Sequence, residues 1–469
     1  MTSDLNWFSA TKLAGLFAKG KLSPVEAAEA ALAQIFKHDG KINAMRLVDE
    51  KTTLKQAVES ELRWRKKRPL SSLDGVPLLI KDILLVKGWP TLRGSKTVDP
   101  RQNWDTDAPS VARMREAGTV FIGMTTTPEF GWKGVTDSPL TGITRNPWDL
   151  ATTPGGSSGG SSAGLAAGYA PLALGTDGGG SIRIPAAFAG VFGLKPSFGR
   201  VPAFPISPFG TVAHIGPMTR HVKDAAFMMG HLARPDARDW FSLPESDPDY
   251  TKGLGKSLKG LRLAYSPKMG FDVEVEPAIT KAVTKAVKLL AKAGAEITEI
   301  DPGFEDPAGM FRVIWWSGVR AAFRHLPEEK LGLLDLGLRD VFEQSKSITA
   351  DELMDANKAR AELGSHMRQF MTRFDALITP TLPITAFTAG QLQPGPVDNT
   401  GKWVNWTPFT YPFNLTQQPA ASVPCGVAPN GLPMGLQIVG RMFDDQTVLR
   451  ISAVAEALLG SNELRPKGY

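Results

Sequence analysis

The sequence predicts an α/β protein, in which helices cover a β-sheet. Three observations bear on its fold class and its domain organisation. Short apolar runs that indicate buried strands alternate with segments of helical periodicity. A Gly- and Ser-rich segment in the middle of the chain also carries the apolar residues of a core. No clean domain boundary and no internal repeat interrupts the 469 residues, so we expect one large domain over residues 1–469.

The first 60 residues have the patterns of helices. Ser23, Pro24 and Glu26 provide an N-cap, a proline at the first helical position and a capping-box glutamate. An apolar-periodic run over residues 27–36 follows this start signal. We therefore expect N-terminal helices over residues 1–60.

Strands begin to alternate with helices near residue 75. Residues 75–80 form a short apolar run bounded by turn residues, which is typical of a strand buried on both faces. Residues 111–117 have a helical pattern, and residues 119–123 have the pattern of the next strand. This alternation favours a sheet with helices packed on it.

The second half of the chain continues the pattern with more helix. Residues 261–265, 296–300 and 376–380 resemble strands, and residues 276–293 form a strongly amphipathic helical segment. We expect residues 235–375 to form a peripheral, mostly helical subregion of the single domain.

Composition excludes several classes of protein. A hydrophobic content of 42% and a charged content of 21% exclude disorder over most of the chain. The single cysteine, Cys425, cannot close an internal disulfide and is expected to be a buried small apolar residue. The six histidines lack metal-ligand spacing. We therefore expect neither a disulfide scaffold nor a structural metal site.

Charge and hydropathy bear on partners and location. The net charge of +6 has its densest basic run at residues 63–68, which is typical of a solvated helix end and does not indicate a nucleic-acid partner. The first residues lack the basic and apolar blocks of a secretory signal. The longest apolar stretches fall short of the about 20 residues that cross a bilayer. We expect a cytoplasmic protein with no membrane partner.

Two glycine-flanked serine clusters, at residues 155–162 and 175–181, carry the strongest chemical signal. A flexible linker is the alternative for such a composition, but the interleaved apolar residues contradict it. Glycines let backbone N–H groups converge on one point and form an anion cradle. No Lys-Ser or Lys-Thr pair of a phosphate loop follows the glycines. The clusters therefore favour an oxyanion hole built around a serine nucleophile.

A serine nucleophile needs a base, and Lys81 is the candidate. No histidine lies within the cluster segment, and His214 downstream is expected to be a packed or surface residue. Lys81 ends the apolar run of residues 75–80, where desolvation would lower its pKa and favour the neutral amine. Asp82 would point to the opposite face of the strand. A strand-end lysine alone is more often a surface residue, but the serine clusters reverse that expectation.

Taken together, these motifs make the chain resemble the amidase signature hydrolases. The matching segments span nearly the whole chain, and they are residues 74–82, 154–161, 175–186, 193–197 and 431–440. The resemblance implies an amidase-signature fold, in which helices cover both faces of a large mixed β-sheet (α/β/α) in a single large domain. It also implies a Ser-cisSer-Lys triad.

Carried over to this sequence, the resemblance assigns three catalytic roles. Ser181 would be the nucleophile, Ser157 the proton shuttle and Lys81 the base. The 24-residue separation of Ser157 from Ser181 matches the two serines of the family, which selects Ser157 rather than Ser158. The peptide bond between Gly156 and Ser157 would be cis.

The resemblance also implies the surroundings of the triad. The oxyanion hole would consist of four backbone N–H groups, those of Gly178, Gly179, Gly180 and Ser181. Three further residues are supporting candidates or members of a hydrogen-bond network without a catalytic step: Thr176, Asp177 and Arg183. Because the family commonly has a larger residue at position 178, Gly178 puts the width of the cradle and the size of the substrate in question.

The implied activity is hydrolysis of a small or aryl carboxylic amide to a carboxylate and an amine or ammonia, through a Ser181 acyl-enzyme. A small-molecule substrate, no cofactor and possible homodimerisation belong to this family-level expectation. Hydrazides, cyclic oligoamides and carbamate-type substrates are alternatives. Another alternative is the glutaminase subunit of a tRNA-dependent amidotransferase, which usually has glutamine at the position of Ile184. A non-catalytic anion-binding module is the last alternative.

Aromatic residues are candidates for the substrate pocket. We select Phe130, Trp132 and Trp316 as substrate-binding candidates. Trp315, which precedes Trp316, and the aromatic cluster at residues 403–411 could also line such a pocket. Packing in the core is the alternative explanation for each of them.

Overall fold

The computed structural model describes residues 2–245, 249–395 and 402–469. The strands in these ranges are β1 (Met45–Val48), β2 (Pro77–Lys81), β3 (Val120–Thr125), β4 (Asp137–Ser138), β5 (Gly142–Ile143), β6 (Leu172–Asp177), β7 (Phe192–Lys195), β8 (His214–Thr219), β9 (Arg262–Tyr265), β10 (Glu296–Glu299), β11 (Ala376–Pro380), β12 (Ala420–Val427) and β13 (Pro433–Gly440).

The α-helices in the same ranges are α1 (Ala10–Ala18), α2 (Pro24–Ile42), α3 (Glu50–Arg65), α4 (Pro109–Glu116), α5 (Gly159–Ala166), α6 (Arg183–Ala189), α7 (Val222–Leu232), α8 (Pro277–Lys292), α9 (Ala308–Phe323), α10 (Glu328–Leu331), α11 (Leu336–Ser345), α12 (Ala350–Phe370), α13 (Pro412–Leu415) and α14 (Asp445–Leu459). Short 3₁₀ helices lie at Thr2–Trp7, Glu129–Gly131, Gly210–Val212, Lys402–Trp406 and Ser461–Glu463.

Eleven of these strands form one mixed sheet, with the order β1-β3-β2-β6-β8-β7-β12-β13-β11-β9-β10. Strand β2 is parallel to β3 and β6, whereas β6 is antiparallel to β8. Strands β11, β9 and β10 are parallel to one another at the far edge. The prediction of a large mixed sheet in a single domain is confirmed.

Both faces of the sheet carry a packed core. Leu78 and Ile80 of β2 belong to one cluster of buried apolar residues, and Leu79 between them belongs to a second cluster. Because successive side chains of a strand point to opposite faces, the two clusters lie on opposite sides of the sheet. Helices α2, α3 and α5 contribute to the second cluster, and α4, α7, α8 and α9 contribute to the first. The prediction that helices cover the sheet is confirmed.

The N-terminal region matches its sequence signals, with one addition. Helix α2 begins at Pro24, and the capping box between Ser23 and Glu26 is formed in both directions, with N···O distances of 3.1 and 2.8 Å. Residues 45–48 lie in the segment predicted to be helical, but they form strand β1 and pair with β3. Four residues are too few to show a period in the sequence, and their strand conformation depends on pairing with a distant segment.

The region of residues 235–375 contains helices α8–α12 and also two strands. Strand β9 pairs with β11, and β10 pairs with β9 at the edge of the central sheet. This region therefore adds two strands to the sheet that contains β6, the strand that leads into the second serine cluster.

Three other predictions can be compared with the structure. The basic run begins inside helix α3, whose last residue is Arg65, and its later residues are exposed, as expected for a solvated helix end. Arg63 instead pairs with the buried Asp74 at 2.6 Å. Cys425 is buried, as predicted. Within the described residues, the helices are all too short or too polar to span a bilayer.

Candidate active site

Strand β2 delivers Lys81 to the interior of the protein. The strand is buried along its whole length, and Lys81 at its end is fully buried. The next residue, Asp82, binds other partners, because its carboxylate accepts hydrogen bonds from Arg46 Nη2 at 3.0 Å and from the Leu92 N–H at 2.9 Å. The prediction that Lys81 and Asp82 do not neutralise each other directly is therefore confirmed.

Three hydroxyl groups surround the Lys81 amine. Lys81 Nζ lies 2.6 Å from Ser157 Oγ, 3.0 Å from Ser158 Oγ and 2.8 Å from Thr176 Oγ1. In the described part of the chain, no carboxylate forms an ion pair with this amine within 4.0 Å. Burial lowers the pKa of Lys81 well below its usual value, and the charge of Asp177 opposes this shift only in part. The site therefore favours the neutral amine.

The loop before helix α5 positions the first serine cluster. The Gly156–Ser157 peptide bond is cis, which confirms the prediction. Glycine is required at position 156, because a Cβ atom there would lie 2.5 Å from the Val135 carbonyl oxygen. Ser158 Oγ donates to the Thr176 carbonyl at 3.2 Å and accepts from the Thr176 N–H at 3.2 Å. These bonds tie the loop to strand β6, and no feature of the sequence indicated that Ser158 contacts Lys81.

The loop between β6 and α6 carries Ser181, which is 3% exposed. The two serine clusters are joined directly, because the Ser158 N–H donates to the Ser181 carbonyl at 3.1 Å. The three glycines before Ser181 leave backbone N–H groups on a loop free of side-chain bulk. The structure thus places Lys81, Ser157 and Ser181 in one buried region at the ends of strands β2 and β6.

The anion cradle has fewer free donors than the sequence suggested. The Gly180 N–H donates to Asp177 Oδ1 at 2.7 Å. This bond corrects the expectation that Gly180 also donates to an oxyanion, because its N–H is already committed to a carboxylate. In the described ranges, the N–H groups of Gly178, Gly179 and Ser181 have no hydrogen-bond acceptor. These three are the donors left for an anion.

Asp177 and Arg183 form a buried ion pair behind the cradle. Arg183 Nε and Nη2 donate to the Asp177 carboxylate at 2.9 and 3.0 Å. Burial raises the pKa of Asp177, but the charge and hydrogen bonds of Arg183 outweigh it and hold that pKa below its usual range. Arg183 Nη1 also donates to the carbonyl of Thr410 and to Gln437 Oε1, both at 2.8 Å. The pair therefore fixes the loop of Ser181 against the C-terminal part of the chain, as a hydrogen-bond network would.

Aromatic rings close one side of the cradle. A Cβ atom on Gly178 would lie 2.7 Å from Trp315 Cζ3, and one on Gly179 would lie 2.7 Å from Phe311 Cζ. The Trp315 ring occupies the space that a larger residue at position 178 would take, so Gly178 does not leave the cradle wider on this side. Trp403 also borders Gly179, at 3.1 Å from a Cβ built there.

The predicted pocket aromatics are placed differently from one another. Trp132 is buried, and its carbonyl accepts a hydrogen bond from Trp315 Nε1 at 3.1 Å. Trp316 is half-buried, and the cradle is bordered by its neighbour Trp315 instead. Phe130 is half-buried and precedes Gly131, where a built Cβ would lie 3.2 Å from Ser157 Oγ. Sequence alone could not distinguish Trp315 from Trp316.

His214 is a packed histidine, as expected. It is buried, and its Nδ1 lies 2.8 Å from the Val212 carbonyl oxygen and 3.2 Å from the Asp177 carbonyl oxygen. Burial lowers its pKa well below the usual value. Its hydrogen bonds are therefore with the backbone near the site, whereas the buried amine of Lys81 contacts Ser157.

Comparison with known proteins finds relatives that match this chain along almost its whole length. An amidase family model matches residues 26–449 of the chain. An acylamidase of Rhodococcus erythropolis is 37% identical, over 97% of this chain and 96% of that protein. A glutamyl-tRNA(Gln) amidotransferase subunit from Chloroflexus aggregans is 34% identical, over 99% of each chain. The solved structure of a bacterial aryl acylamidase of the amidase signature family has a TM-score of 0.90 at 30% identity, over 99% of each chain.

These matches extend along almost the entire chain and include both serine clusters. The similar solved structure shares the fold of this chain, and the sequence matches confirm the family that the motifs suggested. The chain therefore belongs to the amidase signature family and is an amide-hydrolysing enzyme.

Proposed function

We propose that this enzyme hydrolyses a small or aryl carboxylic amide through an acyl-enzyme on Ser181, with Ser157 and Lys81 as the proton relay. The observation that carries the proposal is the 2.6 Å contact between Lys81 Nζ and Ser157 Oγ in a fully buried position. A neutral lysine in this place can accept the proton that a serine must lose to become a nucleophile.

The hydrogen bonds around Lys81 support Ser157 as the shuttle. A neutral amine has two N–H donors and one lone pair. Ser158 uses its own proton for the Thr176 carbonyl, so Ser158 can only accept from Lys81. We propose that Lys81 donates to Ser158 and to Thr176, which leaves its lone pair for the proton of Ser157.

The reaction follows in two stages. Ser181 attacks the amide carbonyl as its proton passes to Ser157 and the proton of Ser157 passes to Lys81. The C–N bond breaks, and the same relay returns the proton to the leaving amine. Water then attacks the ester on Ser181, gives its proton to the relay and releases the carboxylate. Ser181 recovers its proton in this last step, so the enzyme is unchanged.

The free backbone donors would stabilise the tetrahedral intermediates. The N–H groups of Gly178, Gly179 and Ser181 are the proposed oxyanion hole, and Asp177 with Arg183 supports their loop. One such donor typically contributes about 2.7–4 kcal/mol to transition-state stabilisation. Thr176 is proposed to position Lys81 through its hydroxyl group.

The substrate class rests on the cradle wall and on the relatives. Trp315 and Phe311 present aromatic rings beside Gly178 and Gly179, which suits a flat or apolar group next to the scissile bond. The relative from Rhodococcus erythropolis is an acylamidase, and a similar solved structure is that of a bacterial aryl acylamidase. These matches support aryl and simple acyl amides as the first compounds to assay.

A second candidate is a glutaminase subunit of a tRNA-dependent amidotransferase. The relative in Chloroflexus aggregans favours it, whereas Ile184 stands where that subunit usually has glutamine. Assays of glutamine hydrolysis, with and without partner subunits, decide between the candidates. Glutaminase activity that requires the partner subunits, with no hydrolysis of anilides by the chain alone, would favour the second candidate.

Replacing the two adjacent serines separately tests the relay. Ser157→Ala is expected to lower kcat for an anilide by about 10²–10⁴-fold, because it removes the proton path between Ser181 and Lys81. Ser158→Ala is the matched control and is expected to cost about tenfold or less, since it removes only a positioning hydrogen bond. Release of the aniline, measured with both folded variants, gives the two rates. A larger loss from Ser158→Ala than from Ser157→Ala would contradict the assignment of the shuttle.

A further inference from the structure

A large cavity lies beside Phe130, which precedes Gly131, the residue that approaches Ser157. Its volume is about 600 Å³. Leu85, Phe130 and Phe323 provide apolar walls, and Arg93, Asn103 and Thr106 provide polar ones. The rings of Phe130 and Phe323 pack edge to face with centroids 4.9 Å apart and form one apolar side of the cavity. The cavity has the mixed lining of a small-molecule site.

Backbone contacts connect this cavity to the triad. The Phe130 N–H donates to the Arg93 carbonyl at 2.7 Å, so the two lining residues are joined. The next residue, Gly131, approaches Ser157 so closely that a Cβ atom on it would lie 3.2 Å from Ser157 Oγ. Gly94 packs against the same segment, because a Cβ atom on it would lie 2.5 Å from the Thr127 carbonyl oxygen. One residue therefore separates the cavity wall from the proposed shuttle.

Arg93 is a cation without a partner in this wall. It is half-buried, and across the described ranges its side chain forms no hydrogen bond and no ion pair within 4.0 Å. Asp82, the acid whose charge acts on Arg93, already accepts bonds from Arg46 and from the backbone of Leu92 and Gly94. Arg93 has a φ angle of 57°, a conformation that is uncommon for a non-glycine residue and that occurs more often at functional sites.

The other charged groups of the cavity have protein partners. Asp99 pairs with Arg101 at 3.1 Å. Asp105 accepts hydrogen bonds from Asn103 at 2.8 Å and from Thr106 at 2.9 Å. Lys330 donates to the Thr97 carbonyl at 3.3 Å. Arg93 is therefore the lining cation that has no acceptor from the described protein.

We infer that Arg93 binds a carboxylate group of the amide substrate, while the apolar part of the substrate packs against Phe130 and Phe323. A guanidinium group presents its donors in a planar fork that matches a carboxylate, and the resulting hydrogen bonds are charge-assisted. This inference rests on the proposed function and narrows its substrate class to amides that carry a carboxylate on the acyl or the amine part.

Matched substrate pairs test the inference. The first pair is 4-acetamidobenzoate and 4-acetamidotoluene, which differ in a carboxylate on the amine side. The second pair is N-phenylsuccinamate and N-phenylpentanamide, which differ in a carboxylate on the acyl side. In one pair, the wild-type enzyme is expected to have a kcat/KM about tenfold or more higher for the carboxylate member. Arg93→Gln is expected to lower this ratio by about ten- to hundredfold, the usual effect of losing a hydrogen bond to a charged group.

Two further variants separate specific binding from general charge. Arg324→Gln removes the same charge from an exposed position next to Phe323 and is expected to leave the ratio unchanged. Arg93→Lys keeps the charge without the fork and is expected to give an intermediate ratio. Circular dichroism and the melting temperature identify the variants that are folded. Ratios near one for both pairs in the wild type, or ratios that are equal in the wild type and Arg93→Gln for both pairs, overturn the inference.

A binding measurement separates this inference from the proposed function. Calorimetric titration of Ser181→Ala with the carboxylate member of each pair reports affinity without turnover. Adding Arg93→Gln to that variant is expected to weaken binding of one member by about tenfold or more. If the single and the double variant bind the carboxylate members of both pairs with equal affinity, the inference is overturned even where amides are hydrolysed. Weakened binding together with a failure of the wild-type enzyme to hydrolyse any amide would support Arg93 and contradict the proposed function.

Discussion

Ser181→Ala is expected to lower kcat/KM for every amide substrate by about 10⁴-fold or more, because the acyl-enzyme cannot form without the nucleophile. The substitution removes one oxygen from a residue that is 3% exposed, and the Ser158 N–H keeps its bond to the Ser181 carbonyl. The melting temperature is therefore expected to change little.

Ser161→Ala is the matched control for this experiment. Ser161 is also buried in the first serine cluster, but its hydroxyl group contacts Thr125 at 2.8 Å and the Leu174 carbonyl at 3.2 Å, away from the Lys81 amine. It is expected to retain activity within about tenfold of the wild type.

Mass spectrometry of the enzyme treated with a fluorophosphonate should find the label on Ser181. A label on another residue, or anilide hydrolysis that survives in Ser181→Ala, would contradict the assigned nucleophile.

Lys81→Met is expected to lower kcat by about 10²–10⁴-fold, since methionine fills the buried space and cannot accept a proton. Stability is expected to change little in comparison, because the wild-type amine is buried without an ion pair in the described structure. The measurement is the rate of anilide hydrolysis per folded enzyme, with folding checked by circular dichroism. Raising the pH should not restore the rate of this variant.

Lys195→Met is the control that distinguishes the loss of the proposed base from the loss of any buried lysine. Lys195 is also fully buried with a pKa lowered by burial, but its Nζ donates to the backbone carbonyl of Gln418. Lys195→Met is expected to be less stable and to keep the kcat of its folded fraction within about tenfold of the wild type. Similar losses of kcat in Lys81→Met and Lys195→Met would contradict the specific role of Lys81.

The central part of the site could be predicted because its signals are local or are shared with a family. The apolar run before Lys81 indicated a buried strand, and strand β2 ends at that residue. The glycines around Ser157 and Ser181 indicated close backbone approach, and the contact of Gly156 with Val135 is of this kind.

Other features could not be predicted because they depend on residues far apart in the chain. Strand β1 forms only by pairing with β3, and four residues carry no period of their own. The Gly180 N–H was assigned to the oxyanion hole, but Asp177 binds it, and Arg183 holds Asp177 in place through contacts that reach Gln437. The choice between Trp315 and Trp316 depends on the rotation of helix α9 about its axis, which their adjacent positions in the sequence do not fix.

The dependence of kcat/KM on pH tests most directly whether an unprotonated amine drives the reaction. Lys81 acts as a base only when it is neutral, and burial lowers its pKa. Activity should therefore rise with pH through that lowered pKa and should not decline between about pH 6 and 9 in the folded enzyme. A fall in kcat/KM over this range, with circular dichroism showing an intact fold, would contradict Lys81 as the base.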